Sequence, residues 1–362
     1  MSPHIIDVGT ARVLDFKYTS GQHSANIIME ACAMQTILHN CCGMDIHKDT
    51  VVACILKTCE TIGVINANEN TVKELRVFKT FPDDLAQLRS WLEAENCCHV
   101  AMESTGVYWS PVYDALEDAC NGNMQLIVTN ARHMRNVPGK KTDIKDAEWI
   151  ASLLRAGLLS GSFIPPLEVR ELRQLTRYRK NVVQDINTQK NRIEKSLQQA
   201  GFKLSTFLSD VFGVSGRNLI RVLIKKGKLT PTDVEYATTR ISPEKKAEIK
   251  LAINGKLTAH QRSFLKLQIN HLDQQLAHLT TIEQSIAELS KPFEEEISRL
   301  DTIPGIAETS AVSIIAEIGT DMSKFPTAEH FCSWAGVTPG DNSSAGKKKV
   351  HELLLATPTS RA

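Results

Sequence analysis

From Cys41 onward the apolar and polar positions fall into a regular order. "CCGMDIH" (41–47) and "TVVACILK" (50–57) are short, apolar, β-branched runs, close enough to read as one long interrupted strand. "TIGVINA" and "ELRVFKT" follow at hairpin spacing, with Asn-rich turn residues between them. Pro82 then opens a helix at its first position, and Leu85, Leu88, Trp91 and Leu92 recur behind it at helical spacing. "CHVAME" predicts a short buried strand, "YWSPVYDALEDA" a helix with Pro111 in its first turn, and "MQLIVTN" another strand. "DIKDAEWIASLLRAGL" predicts a helix capped by Thr142 or Asp143 and closed near Gly157. The expected order over 41–162 is β-β-β-α-β-α-β-α, a mixed sheet with helices on its faces.

That order is the one of ribonuclease H-like (RuvC-like) domains, so an α/β domain is expected there. At Pro165 the period changes. Residues 165–201 read as one long helix, with Leu172, Leu175, Val182, Ile186, Ile193 and Leu197 in a stripe near heptad spacing. A second long helix is expected between about residues 260 and 300. Its stripe is Phe264, Leu267, Ile269, Leu272, Leu276, Leu279, Ile282, Ile286 and Leu289. The two stripes predict an all-α coiled-coil region over 165–299, either an antiparallel hairpin or a dimerising coiled coil. From Leu300, "LDTIPGIAETSAVSIIAEIG" sets Pro304-Gly305 before an apolar helix. This is the helix-hairpin-helix pattern, whose exposed N–H groups can hold a DNA phosphate. A small helical second domain is expected over 300–362, with a Gly/Ser/Asn loop and three lysines, Lys347, Lys348 and Lys349. Residues 1–40 keep no period and carry no clear caps, and read as a poorly structured leader.

The 362 residues suffice for two or three domains. A net charge of +1 gives no global basic signature, so nucleic-acid binding has to come from local patches. One such patch is expected over 168–203, where nine Lys/Arg stand against four Asp/Glu. Arg173, Arg177 and Lys180 are its candidate phosphate contacts, though a solvated helix face explains the same charge. Lys140, Lys141, Lys145, the Gly305 amide, Lys347 and Lys348 are further candidates. Nine cysteines contain no CxxC pair, which argues against zinc. No signal peptide precedes them, so reduced, buried thiols in a cytoplasmic protein are expected. No apolar run reaches the ~18 residues that span a membrane, and no membrane partner is expected.

The acids change this picture. Asp45 interrupts an otherwise apolar strand, which is costly unless the charge is paired or coordinated. Glu103 ends another strand, with Gly106 soon after. In this element order both fall near the carboxyl edge of the sheet, where sites form. Asp143 and Asp146 are three apart and share one helix face. Four converging carboxylates repel one another unless a cation cancels the charge. Mg²⁺ or Mn²⁺ suits such hard oxygen ligands and leaves positions open for phosphate oxygens. Two such ions, about 4 Å apart, can activate a nucleophile and stabilise the leaving oxygen of a phosphodiester. Taken singly, Asp143 reads as a helix cap and Asp146 as a solvent-facing residue. Asp49, after a turn, and Glu148, on another helix face, are weaker candidates.

The runs "GMDIHKDTVVACIL", "AMESTGVYWSPVYDAL" and "KTDIKDAEWIASLLRAG" closely resemble the DEDD transposases of the insertion-sequence 110 type. The segment from Leu300 to Phe325 resembles the start of that family's second conserved domain, and the resemblance covers about residues 41–349. It implies that Asp45, Glu103, Asp143 and Asp146 are catalytic, metal-holding acids. It implies a recombinase that moves its own element, with donor and target DNA chosen by a structured guide RNA. It also implies a homo-oligomer, dimer or tetramer, with a composite site shared between subunits. The family's nucleophile is a serine that forms a covalent phosphoserine link; Ser344 is the match and Ser343 the alternative. "VHELLLATPTSRA" after Lys349 and residues 1–40 fall outside the resemblance, so the sequence reads as a truncated copy with a foreign leader. Two other readings stay open. One is a RuvC-like hydrolytic nuclease in which water attacks, and the other is a copy that only binds nucleic acid.

Overall fold

A computed structural model describes residues 38–58, 71–103, 106–130, 143–159, 161–238, 242–251, 253–337, 343–344 and 347–348. The chain divides into two compact units between Ile164 and Pro165.

In the first unit, β1 (Asn40–Ile46), β2 (Thr50–Thr58) and β3 (Thr71–Lys79) pair antiparallel. β4 (His99–Glu103) and β5 (Gln125–Thr129) continue the sheet in parallel on the other side of β1, giving the order β3-β2-β1-β4-β5. The runs "CCGMDIH" and "TVVACILK" are thus two strands of a tight hairpin, not one interrupted strand. The polar triplet His47-Lys48-Asp49 breaks the apolar run, and the His47 N–H donates to the Thr50 carbonyl at 2.8 Å to close the turn. The expected strand at 61–67 lies outside the described residues. β1 and β2 are buried along almost their whole length because helices cover both faces. β3 is the outer strand, half to fully exposed, and its interleaved charges discourage pairing with another chain.

Helices α1 (Pro82–Ala94) and α2 (Trp109–Leu116) cover one face. Pro82 presets the first turn of α1, Asp83 and Asp84 complement its dipole, and Leu85, Leu88, Trp91 and Leu92 are buried. They pack with Cys42, Met44 and Ile46 of β1. Helix α3 (Asp143–Arg155) covers the other face, setting Ala147, Ile150, Ala151 and Leu154 on Cys41, Val52, Cys54, Leu56 and Ala101. Gly43 is where α3 rests on β1. A Cβ there would lie 2.3 Å from the Ala147 carbonyl oxygen and 2.2 Å from the Ala151 nitrogen, so only glycine admits this approach. The buried Arg155 donates to the Thr58 and Thr71 hydroxyls at 2.6 and 2.7 Å, tying the end of α3 to β2 and β3.

In the second unit, α4 (Leu167–Gln199) leads into α5 (Val214–Lys226), α6 (Pro231–Ala237) and α7 (Pro243–Leu251). The chain then returns along α8 (Ala259–Ser290), which opens on a capping box between Thr258 and Gln261. Arg179 bonds Glu283 at 2.7 Å, Tyr178 bonds His278 at 2.9 Å, and the Gln189 amide donates to the Gln268 carbonyl at 3.0 Å. Rising numbers on α4 meet falling numbers on α8, so the pair is an antiparallel hairpin within one chain. Its seam sets Leu172, Val182, Ile186, Ile193 and Leu197 with Leu265, Leu272, Ile282 and Ile286. Phe264 and Leu267, expected in that stripe, are 49 and 66 % exposed. They fall off the face that Leu265, Ile269, Leu272 and Leu276 hold by spacings of three and four. Helices α9 (Glu294–Asp301) and α10 (Glu308–Ile318) share this core through Ile297, Ala311, Val312, Ile315 and Ala316. Helix α11 (Ala328–Trp334) follows, then a short antiparallel ladder of β6 (Ser343–Ser344) with β7 (Lys347–Lys348). Among the described residues no helix is long and apolar enough to cross a membrane.

Candidate active site

Asp45 is the next-to-last residue of β1 and only 5 % exposed. Its Oδ2 lies 3.2 Å from His47 Nε2. Parity along the strand fixes its face. Cys41 and Gly43 meet α3, so Asp45 lies on the α3 side. On β4, Ala101 meets α3, and Glu103, two residues on, lies on the same side. Gly43 pairs with Ala101 and Met44 with Met102, which sets Asp45 and Glu103 level on neighbouring strands.

α3 runs opposite to β1. The Arg155 carbonyl accepts from Leu38 N–H at 3.2 Å, the Ala151 carbonyl accepts from Cys41 Sγ at 3.5 Å, and Ala147 meets Gly43. Asp143 stands one turn nearer the helix N-terminus, towards the level of Asp45, and the half-buried Asp146 directly precedes Ala147. The fold therefore brings the four backbone positions to one end of one sheet face.

The donors are all carboxylates, the chemistry that suits a hard divalent cation. Among the described residues, no three His, Cys, Asp or Glu side chains stand close enough to hold a metal ion. The Asp143 side chain lies outside that description. Of the weaker candidates, Glu148 pairs with Lys73 of β3, and Asp49 is exposed in the β1–β2 turn.

One residue at this end carried no signal in the sequence. Thr129 pairs with Glu103, and Ile127 before it packs on the α3 side, so Thr129 shares the face of the acids. It is fully buried, and its hydroxyl has no hydrogen-bond partner among the described residues. Such a hydroxyl costs about 1–3 kcal/mol.

Comparison with known families closes the question of kinship. Residues 42–202 match a transposase model, the DEDD domain of the IS110 type, and residues 297–354 match the transposase family IS116/IS110/IS902. The chain belongs to the IS110 family of transposases. Its two matched domains are those of a DNA transposase or recombinase and together cover more than half of the chain. No curated protein matches it.

The basic residues of this transposase divide by their surroundings. Arg173 donates to the carbonyl oxygens of Ala316 at 3.0 Å and Glu317 at 2.6 Å, at the end of α10. Arg177 grips the Glu317 carboxylate at two points, 2.8 and 2.7 Å. Burial pushes the Arg173 guanidinium below its ordinary range, while Glu317 pulls it the other way. Both arginines clamp a helix end, a use the local charge count did not reveal. Lys145 and Lys180 are exposed, and Lys140 and Lys141 lie outside the described residues. Pro304-Gly305 forms an exposed turn in which Ile306 N–H donates to the Ile303 carbonyl at 3.0 Å. Gly305 has φ +90°, as the third position of a type II turn requires. In the β6–β7 ladder Ser344 pairs with Lys347 and Ser343 with Lys348, so the candidate serines stand opposite the candidate lysines.

The described cysteines are free, and Cys41, Cys42, Cys54 and Cys97 are buried. Burial pushes Cys41 and Cys97 up to about 12 and Cys54 to about 11. These thiols stay protonated and are poor metal ligands. Cys32 and Cys59 lie outside the described residues.

Proposed function

We propose that this transposase cuts and rejoins DNA as a serine recombinase, guided to donor and target DNA by a structured RNA. In this reading Asp45, Glu103, Asp143 and Asp146 hold Mg²⁺ or Mn²⁺, and the protein works as a homo-oligomer in the cytoplasm. One observation carries the acidic part. Asp45 is buried in an apolar strand, level with Glu103 and with the first turn of α3. When bound, the divalent cation supplies positive charge to the acids and to the phosphodiester.

The chain's own residues account for the rest. Ser344 Oγ bonds to phosphorus, the bond to the leaving sugar oxygen breaks, and the hydroxyl proton ends on that oxygen. The phosphodiester charge is conserved, and so is the bond energy, so the strand can be rejoined without ATP. Lys347 and Lys348, opposite the serines, bring positive charge to the reacting phosphate. The Pro304-Gly305 turn offers N–H groups to a phosphate elsewhere on the duplex. Lys140, Lys141, Lys145 and Lys180 attract the polyanion.

The test is to trap a covalent DNA–protein adduct, using DNA that flanks the gene and RNA transcribed from it. The adduct is expected to vanish in Ser344→Ala and persist in Ser343→Ala. Persistence in both variants sinks the serine assignment. Cleavage that needs Asp45 yet gives no adduct identifies a hydrolytic nuclease. Retention of the RNA without any cation-dependent cleavage identifies a binding protein.

A further inference from the structure

Thr129 ends β5 with a fully buried hydroxyl that has no hydrogen-bond partner among the described residues. Buried hydroxyls are nearly always paired. Valine fills almost the same volume without an unpaired oxygen, and the neighbours Leu126, Ile127 and Val128 show that β5 is otherwise apolar here. Packing alone therefore gives no reason for an oxygen at this position.

Register gives one. Glu103 pairs with Thr129, and β4 pairs with β1 one step earlier, Met102 with Met44. Asp45, Glu103 and Thr129 therefore stand side by side on three adjacent strands, on the face that α3 covers. Glu103 is half-buried and is the acceptor nearest in register to the unpaired donor.

We infer that Thr129 is a positioning residue of the acidic site, whose hydroxyl donates to the Glu103 carboxylate when a divalent cation binds. The inference rests on the reading of the four acids given above. A hydroxyl suits the task because it is neutral and adds no repulsion among clustered acids. Its single proton holds one carboxylate oxygen and leaves the other for the cation.

Titration of Mn²⁺ alone into the full chain, followed by calorimetry and thermal melting, tests this. Without Mn²⁺, Thr129→Val is expected to melt at or above the wild-type temperature. It is expected to bind Mn²⁺ about tenfold more weakly or worse, the range for loss of a residue that orients a ligand. Thr129→Ser is expected to restore most of the affinity, which a purely structural role would not predict. If Thr129→Val does not fold, Thr129→Ala reads the same affinity. Unchanged Mn²⁺ affinity in Thr129→Val, with binding lost in Asp45→Asn, overturns the inference and leaves the acidic site standing. Wild-type affinity in Asp45→Asn overturns both.

Discussion

Arg173 and Asp45 are both largely withdrawn from water, yet their surroundings differ in kind. Arg173 meets the carbonyl end of α10, with Glu317 within 3.5 Å, so its charge is answered by the unit that holds it. Asp45 meets an imidazole, and the groups level with it on the next strand and on α3 are further acids. Charges that answer one another stabilise their own fold. On the proposed reading, acids that share a sheet end would also draw a cation from outside. The count of like charges along the chain is higher on α4, but the structure makes the sheet end the better candidate for chemistry.

Five substitutions press on that contrast. The largest effect is expected from Gly43→Ala, because its methyl group would collide with the backbone of α3. A cost of about 3 kcal/mol, or failure to fold, is expected in urea denaturation. A wild-type midpoint would mean that α3 does not rest on β1 at Gly43, and the acids would lose their common level. Next, Arg173→Ala is expected to cost about 2 kcal/mol, since it removes charge-assisted bonds to two carbonyls. Its DNA binding should keep the wild-type salt dependence. Lys180→Ala, at an exposed position, should lower the log–log slope by about one. A fallen slope in Arg173→Ala would return that residue to the DNA surface and blur the contrast.

If the acids cluster as proposed, Asp45→Asn is expected to raise stability by about 1 kcal/mol or less without divalent ions, by relieving repulsion among them. It should also abolish any rise in melting temperature on adding Mn²⁺. A drop in stability instead would show that the contact with His47 outweighs the repulsion. The smallest effect concerns Asp233 of α6. The Lys226 ammonium, and then the Thr230 hydroxyl, hold its carboxyl down at about 2. The folded value lies below the ordinary carboxylate value, so the stability it contributes is complete above about pH 4 and fades as pH falls through about 2. Asp233→Asn should flatten that part of the stability curve, read as urea midpoint against pH. An unchanged slope would assign the acid sensitivity to other carboxylates.

Much of the fold was legible because it follows from local spacing. Pro82 with two aspartates behind it marks a helix start, and β-branched runs between polar turns mark strands. Asp45 stood out because a charge in an apolar strand needs a reason, and its level with Glu103 on the next strand is what the element order led one to expect. The division of "CCGMDIH" from "TVVACILK" was not legible. Three polar residues can interrupt a strand or reverse it, and only the paired register decides. Phe264 and Leu267 read as core because apolar spacing does not say which helix face is covered.

The amino-acid order by itself determined most of the elements and marked the acids worth watching. Each depends on residue type and on neighbours a few positions away. Tertiary structure alone decided which distant groups meet. Arg173 finds its carbonyls 143 and 144 residues downstream, α3 returns to a glycine on β1, and Thr129 comes level with Glu103 across the sheet. Contacts that distant in sequence leave no period behind, so the partner of a charge, or the need for a hydroxyl, shows only once the chain has closed on itself.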